Sequence, residues 1–185
     1  MIRRLFPVRG GVHPAYHKDP TSEKAVVPLP MPGMLFVPLQ QHVGQAAEVL
    51  VSIGEQVRKG QMIARCGGAI SAPQHAPTSG RIRDISEVTA PHASGLAQTT
   101  IVLEPDGADE WADLPEPIED PFAADPQVIR ERVAWAGVVG MGGAVFPAAV
   151  KLDLGTRYKI DTLVINGAEC EPYVTCDDQI GRAHV

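Results

Sequence analysis

Residues 51–64 read VSIGEQVRKGQMIA and residues 71–85 read SAPQHAPTSGRIRDI, and these two stretches decide how the first half of the chain folds. Short runs rich in Val and Ile (49–53, 61–64, 81–85 and 100–103) are broken by turn signals. The signals fall at Gly44, Gly54, Gly60, Gly67-Gly68, Ser79-Gly80 and Ser94-Gly95. Strands this short at such close intervals predict a small all-β sandwich or barrel over residues 37–104.

Outward from this region the composition changes on both sides. Residues 1–38 hold seven prolines, with GGVHP at 10–14 and PLPMPG at 28–33. Proline removes backbone donors and fixes φ, so residues 1–36 are expected to form an extended docking arm. Val26, Val27, Leu29, Met31, Leu35 and Phe36 give it apolar side chains with which to pack. Residues 105–125 are acidic and proline-rich, a linker by composition, which Trp111, Leu114, Ile118 and Phe122 are able to pin to a neighbouring surface.

After the linker the period becomes helical. Asp125 is placed as an N-cap with Pro126 at the first helical position, and Gly137 is placed to end the helix. A glycine cluster follows, then a short helix opened by Pro147 and running to about Leu152. An apolar strand is expected at 161–165, delivering NGAECEP at 166–172. Residues 126–179 thus read as the beginning of an α/β domain cut off after its first strand, because such a sheet needs several strands to cover both faces. The last six residues, IGRAHV (180–185), match one reading frame of a common sequencing adaptor and are expected to be foreign. The chain as a whole is expected to be an α+β multi-domain fragment.

Composition excludes several classes. Gly (18) and Pro (17) make up about 19% of 185 residues, too many for a helical bundle or coiled coil, and without the period of collagen. The formal charge is −6, but nine of the 22 acids lie between Glu104 and Asp125, where there is no Lys or Arg. Elsewhere 16 basic residues face 13 acids, so no strongly basic nucleic-acid surface is indicated. Three widely spaced cysteines, Cys66, Cys170 and Cys176, argue against a disulfide framework and for a reducing compartment. The start, MIRRLFPVRGG, lacks the apolar stretch of an export signal. The longest apolar run, 136–150, contains four glycines and a proline and is too short to span a bilayer. Membrane association is therefore expected only through a partner.

Four groups of residues invite a chemical reading. The first half resembles the biotinyl/lipoyl-like barrel-sandwich hybrid: Gly54, Val57, Lys59, Gly60, Ile63, Ser79 and Gly80 carry the match. A carrier domain needs a lysine at the hairpin tip near 67–70, but none occurs between Lys59 and Lys151, so the fold is expected without the carrier function. His42, His75 and His92 match no compact metal-ligand spacing and read as surface or turn histidines, and Cys66 as a loop thiol. GVVGMGGAVFPAAVK at 137–151 has the glycines to let backbone approach a phosphate, with a helix opening just after it. The dinucleotide pattern fails there, since Val145 occupies the third glycine position of G-x-G-x-x-G; a plain glycine-rich turn is the alternative. Asn166, Glu169 and Glu171 follow the expected strand, where open α/β sheets bind ligands, the alternative being a solvated acidic loop. Two thiols at C-x5-C do not make up the ligand set of an iron–sulfur cluster, and no metal ligands are assigned.

Taken in order, GGVHP, VPLQQHVG (37–44), GEQVRKGQMIA (54–64), SAPQHAPTSG (71–80), PHASG (91–95), the glycine loop and INGAECEPYVTCDD (165–178) resemble RnfC, the C subunit of the Rnf electron transport complex. The loop and strand end are also similar to the FMN- and NADH-binding subunit of respiratory complex I, which has GRGGAGFPTGxK and NADEGEPG there. The resemblance implies that 126–179 begin an FMN/NADH-binding domain. It places Gly140, Gly142 and Gly143 under the FMN phosphate, Lys151 as a counter-charge, and Phe146 beside the nicotinamide. It gives Asn166, Glu169 and Glu171 contacts to flavin and NADH. It further implies electron transfer between NADH, FMN and two [4Fe–4S] clusters whose ligands lie outside this chain, with no catalytic residue assigned here. The implied partners are the other Rnf subunits, NAD(H) and, indirectly, ferredoxin, at the cytoplasmic face of the inner membrane. Three departures from the complex I form stand out: Val145 for Gly, Ala148 for Thr and Ala168 for Asp. If position 145 takes positive φ, the β-branched side chain is expected to cost on the order of 1 kcal/mol or more. The competing reading, of a different class, is a non-catalytic docking module built on the sandwich and its arm.

Overall fold

The computed structural model describes residues 14–141, 143–153, 160–162, 164 and 171–176. The chain divides into two compact units, Pro30–Lys159 and Met1–Leu29 together with Ile160–Val185. The smaller unit contains α1 (Asp19–Ser22), a single helical turn in the arm.

In the larger unit the Val/Ile runs become two small antiparallel sheets. One contains β1 (Leu35–Pro38), β3 (Gln56–Val57), β6 (Gly80–Thr89) and β7 (Ala97–Pro105), in the order β1-β7-β6-β3. The other contains β2 (Glu48–Val49), β4 (Met62–Arg65) and β5 (Gln74–His75), in the order β2-β4-β5. Register puts Val37 beside Ile101 and Val57 beside Gly80 in the first sheet. The branched side chains of Val37, Val57 and Ile101 share one core with Ile63 and Ala64 of the second. Ile63, Ile82, Ile101 and Leu103 are wholly inaccessible, with Val37, Leu39, Val51 and Val57 around them. Each such side chain contributes about 1.5–3 kcal/mol by leaving water. Strand β7 is buried continuously from Thr100 to Leu103, as a strand flanked by β1 and β6 and covered on both faces should be.

The expected arm and linker are both partly recruited to this core. Strand β1 begins at Leu35, two residues inside the stretch expected to be arm, because Leu35 and Val37 alternate inward while Phe36 points out, 56% exposed. The first ten residues of the acidic linker are a strap. Lys59 N–H donates to the Glu110 carbonyl (2.8 Å) and Ala112 N–H returns to the Lys59 carbonyl (2.9 Å). Lys59 Nζ meets Asp109 at 2.6 Å and lies 4.8 Å from the Trp111 ring centre. Ser79 Oγ donates to Asp106 and Thr78 Oγ1 to Asp109. Gly60, at φ +77°, lies under Trp111 and Leu114, and a Cβ there would come within 3.0–3.1 Å of both. The strap thus uses the very Lys-Gly pair that carries the lipoyl-like signature. Phe122, by contrast, is fully exposed and pins nothing.

Helix α2 (Pro126–Trp135) starts as its sequence dictates, with the Asp125 carboxylate accepting from Gln127 N–H and Pro126 in the first turn. It ends at Ala136, followed by Gly137 at φ +68°. Trp135 packs edge-on against His75 of β5, so this segment lies on the barrel. Helix α3 (Ala148–Leu152) is a little over one turn, and Arg130 of α2 pairs with Asp153 beyond it.

In the smaller unit the strand expected at 161–165 is not seen at Asp161, Thr162 or Val164; residues 163 and 165 lie outside the described residues. A strand exists only through its ladder, and among the described residues nothing pairs with this one. Val26, Val27 and Leu29, expected to pack, are about four-fifths exposed, on a stretch that proline holds extended. The expected foreign tail, 180–185, is also outside the described residues.

Candidate functional site

The glycine cluster forms a closed loop. Val139 and Pro147 face each other in an antiparallel bridge. Gly140 N–H donates to the Phe146 carbonyl and Ala148 N–H to the Val138 carbonyl, both at 2.9 Å. Those two bonds cinch the base, and Met141 and residues 143–145 lie toward the tip. A third bond, Val43 N–H to the Val145 carbonyl at 3.3 Å, ties the tip to the barrel turn at 40–44.

Three of the residues singled out in the sequence meet at the base. Lys151, in the last turn of α3, folds back so that its Nζ lies 5.9 Å from the Phe146 ring centre. A Cβ on Gly140 would lie 3.4 Å from that Nζ, which places the cation against the main chain at 140. At the tip, Gly143 is exposed, and a Cβ there would meet nothing within 4 Å. No packing contact among the described residues explains glycine at this position. A glycine loop with a lysine over its base has the residue types that suit an anionic ligand approaching the main chain. The five-residue helix α3 adds little dipole to this.

Val145 sits at φ +42°, in the left-handed region that a β-branched side chain disfavours. The strain foreseen for this position is present, and the Val43–Val145 bond helps to hold it.

The rest of the predicted set is elsewhere. Gly142, Asn166 and Glu169 lie outside the described residues. Glu171 belongs to the smaller unit, where the arm clamps its segment. Lys18 Nζ donates to the carbonyls of Glu171 (3.3 Å) and Val174 (2.5 Å), and Thr21 Oγ1 to that of Tyr173. Tyr173 N–H donates to the Tyr16 carbonyl, and the His17 and Tyr173 rings stack at 5.0 Å. The Glu171 residue itself is exposed. No sequence signal announces this clamp, since Lys18 and Thr21 carry no motif.

Residues 6–108 match the RnfC barrel sandwich hybrid domain, more than half of the chain. The chain belongs to the RnfC family. Residues 133–185 match the Nuo51 FMN-binding domain, so the glycine loop falls in the start of that domain. Among RnfC relatives, the C subunit of the ion-translocating oxidoreductase complex of Rhodobacter capsulatus is 52% identical over 178 residues, 96% of this chain and 34% of that protein. The protein of the same name from Edwardsiella ictaluri is 44% identical over 181 residues, 98% and 22% respectively. That of Haemophilus influenzae is 40% identical over 179 residues, 97% and 27%. The chain therefore spans about a third or less of the length of the curated relatives it matches.

In the RnfC barrel, His42 and Cys66 hold loops by hydrogen bonds to the main chain. His42, expected as a surface or turn residue, is buried: its Nε2 accepts from Ala72 N–H (3.1 Å), leaving Nδ1 to face the Val43 carbonyl (3.1 Å). Both ring nitrogens meet backbone groups, so the residue fastens two loops together. His75 is half-buried against Trp135, and burial lowers its pKa. His92 is exposed in the β6–β7 turn with Ser94. The Cys66 thiol donates to the Ser71 carbonyl, and burial raises its pKa, away from reactivity.

Proposed function

We propose that this chain is the N-terminal part of the electron-transfer subunit of a membrane-bound, ion-translocating ferredoxin:NAD oxidoreductase complex, and that its glycine loop holds the phosphate of FMN. The observation that carries the reading is a cation, Lys151, over the base of a glycine loop, at whose tip a Cβ on Gly143 would meet none of the described residues within 4 Å. The Nuo51 match over the same loop supports the same cofactor.

FMN, when bound, supplies two-electron exchange with NADH and one-electron exchange with the two [4Fe–4S] clusters expected of the family beyond these residues. The contribution of this chain is to bind and orient. Lys151 neutralises the phosphate, and Gly140, Gly142 and Gly143 belong to the loop beneath it, whose main-chain N–H groups reach the phosphate oxygens. Phe146 packs beneath Lys151 and fixes its direction. Asn166, Glu169 and Glu171 contact flavin and NADH, with the Glu171 backbone held by Lys18. Partners are the remaining subunits of the complex, with ferredoxin reached indirectly. Attachment is peripheral, through those subunits, at the cytoplasmic face of the inner membrane; no helix among the described residues is long and apolar enough to cross a membrane.

Titration of the full-length protein with FMN, followed by quenching of flavin fluorescence, tests the reading. Saturable one-to-one binding is expected; a folded protein that leaves FMN fluorescence unchanged refutes it.

A second reading, a docking module, draws on Val26, Val27 and Leu29 standing exposed along a proline-stiffened arm. It expects the triple change of these residues to Ser to release the protein from its membrane complex without altering flavin binding.

A further inference from the structure

The smaller unit joins two stretches far apart in sequence, 14–22 in the arm and 171–176 after NGAECEP. Lys18 and Thr21 stand three apart on the single turn of α1, whose backbone Pro20 pre-sets, so both side chains leave from one face. Lys18 Nζ donates to the Glu171 and Val174 carbonyls and Thr21 Oγ1 to the Tyr173 carbonyl, while Tyr173 N–H donates to the Tyr16 carbonyl. Those four hydrogen bonds fix the main chain of 171–174 to the arm. Glu171 itself is exposed, and its carboxylate has no hydrogen bond or ion pair among the described residues.

Both sides of this contact also carry backbone strain. His17 at φ +48° and Tyr173 at φ +69° are two of the four non-glycine residues at positive φ among the described residues. Their rings stack on each other, 5.0 Å apart and 11° from parallel. Left-handed backbone is disfavoured for residues of this size, persists only where surrounding contacts over-determine it, and gathers at sites that bind or react. A relaxed turn at 173 would tether the arm equally well. What the strained, clamped turn adds is a fixed direction for the residue two places before it, Glu171.

We infer that residues 16–21 of the arm are a positioning element of the dinucleotide site, with Lys18 as the residue that sets the direction of Glu171. Lys18 acts through the main chain of 171–174, holding the two carbonyls on either side of Pro172 and Tyr173 while the Glu171 carboxylate stays open to a ligand. The inference rests on the reading above that Glu171 contacts NADH. It goes beyond that reading by giving the arm, expected only to dock, a part in nucleotide affinity.

The test uses the full-length protein loaded with FMN, as wild type and as Lys18→Met, Lys18→Arg and Thr21→Val variants. Two readouts are taken: the NADH concentration that half-saturates bleaching of the bound flavin, and hydrogen exchange at the Tyr173 amide, which needs no activity. Lys18→Met is expected to raise the half-saturating NADH about tenfold and to speed exchange at Tyr173. The limiting bleaching rate, the FMN affinity and the melting temperature are expected to stay at wild-type values. Lys18→Arg, which keeps the charge and donors able to reach both carbonyls, should restore most of the affinity, and Thr21→Val should give a smaller shift in the same direction. Unchanged half-saturation in Lys18→Met overturns the inference even if exchange quickens, because the clamp then only anchors the arm. Lys18→Met and Thr21→Val proteins that lose FMN or melt early along with their NADH affinity also overturn it, since the contact then serves the fold as a whole. Wild-type protein that binds FMN but is not bleached by NADH overturns the inference and leaves the flavin reading standing. Wild-type protein that binds no FMN overturns both.

Discussion

The barrel and the loop at 137–151 are both rich in glycine, and they use it for opposite ends. In the barrel, Gly60 is demanded from within: at φ +77° its bare face is filled by Trp111 and Leu114 of the strap. In the loop, a Cβ on Gly143 would meet none of the described residues within 4 Å. Gly33 in the arm shares that openness but lies on no cinched loop. A glycine whose vacancy is already filled belongs to the fold, whereas we propose that one left open at the tip of a loop with a lysine at its base is there for a ligand.

Changes in the two regions should separate stability from binding. The largest effect is expected in the barrel core. Ile82→Ala removes a wholly buried side chain and should lower the unfolding free energy by about 2–5 kcal/mol in a urea titration. An unchanged midpoint would mean that the two sheets do not share that core. Next comes Gly60→Val, which strains a left-handed residue and displaces Trp111. It should cost about 1–3 kcal/mol, with a shift in Trp111 fluorescence, while flavin binding by the full-length protein is retained.

Val145→Gly runs the other way. It relieves positive φ at a β-branched residue and should stabilise the loop by on the order of 1 kcal/mol. Hydrogen exchange at Val43, whose amide bonds the Val145 carbonyl, should slow; faster exchange would show that the side chain, not the backbone, holds the tip.

The smallest expected effects are in pH, and they fall in two windows. Lys59 and then Thr78 hold the Asp109 carboxyl below the usual range, and Ser79 followed by Ala108 N–H does the same for Asp106. A depressed carboxylate pKa stabilises the fold above the unfolded value of about 3.9 and loses that contribution as pH falls through the folded value. The strap should therefore loosen only below about pH 4, reported by Trp111 in a Trp135→Phe protein. His75 is a base whose pKa burial lowers, so the unfolded state takes up its proton first. The contact with Trp135 should weaken below about pH 6.5, reported by Trp135 in a Trp111→Phe protein. A single transition shared by both tryptophans would mean that strap and helix do not respond separately.

The difference between the regions also explains what is legible in the sequence. The barrel can be read because Ile63, Ile82, Ile101 and Leu103 lie in short apolar runs between turn residues, and burial enforces that pattern. Strands β3 and β5 escape such a reading because two-residue ladders carry no period. The strap looks like a linker because its acids suggest solvation, yet Asp106 and Asp109 are engaged by Ser79, Thr78 and Lys59. In the site, Gly140, Phe146 and Lys151 are readable as a motif and do converge. Their spacing does not reveal the tether from Val43, and in the smaller unit no motif announces the clamp from Lys18. Both are made by residues with no local signature, acting on segments distant from them in sequence.

The central claim is that Gly143 is bare for a ligand. Full-length wild-type and Gly143→Val proteins, compared for FMN affinity and melting temperature in one experiment, test it most directly. The expected result is a loss of affinity of at least about tenfold with the melting temperature of the cofactor-free protein unchanged. Gly143→Val protein that binds FMN as tightly as wild type would contradict it.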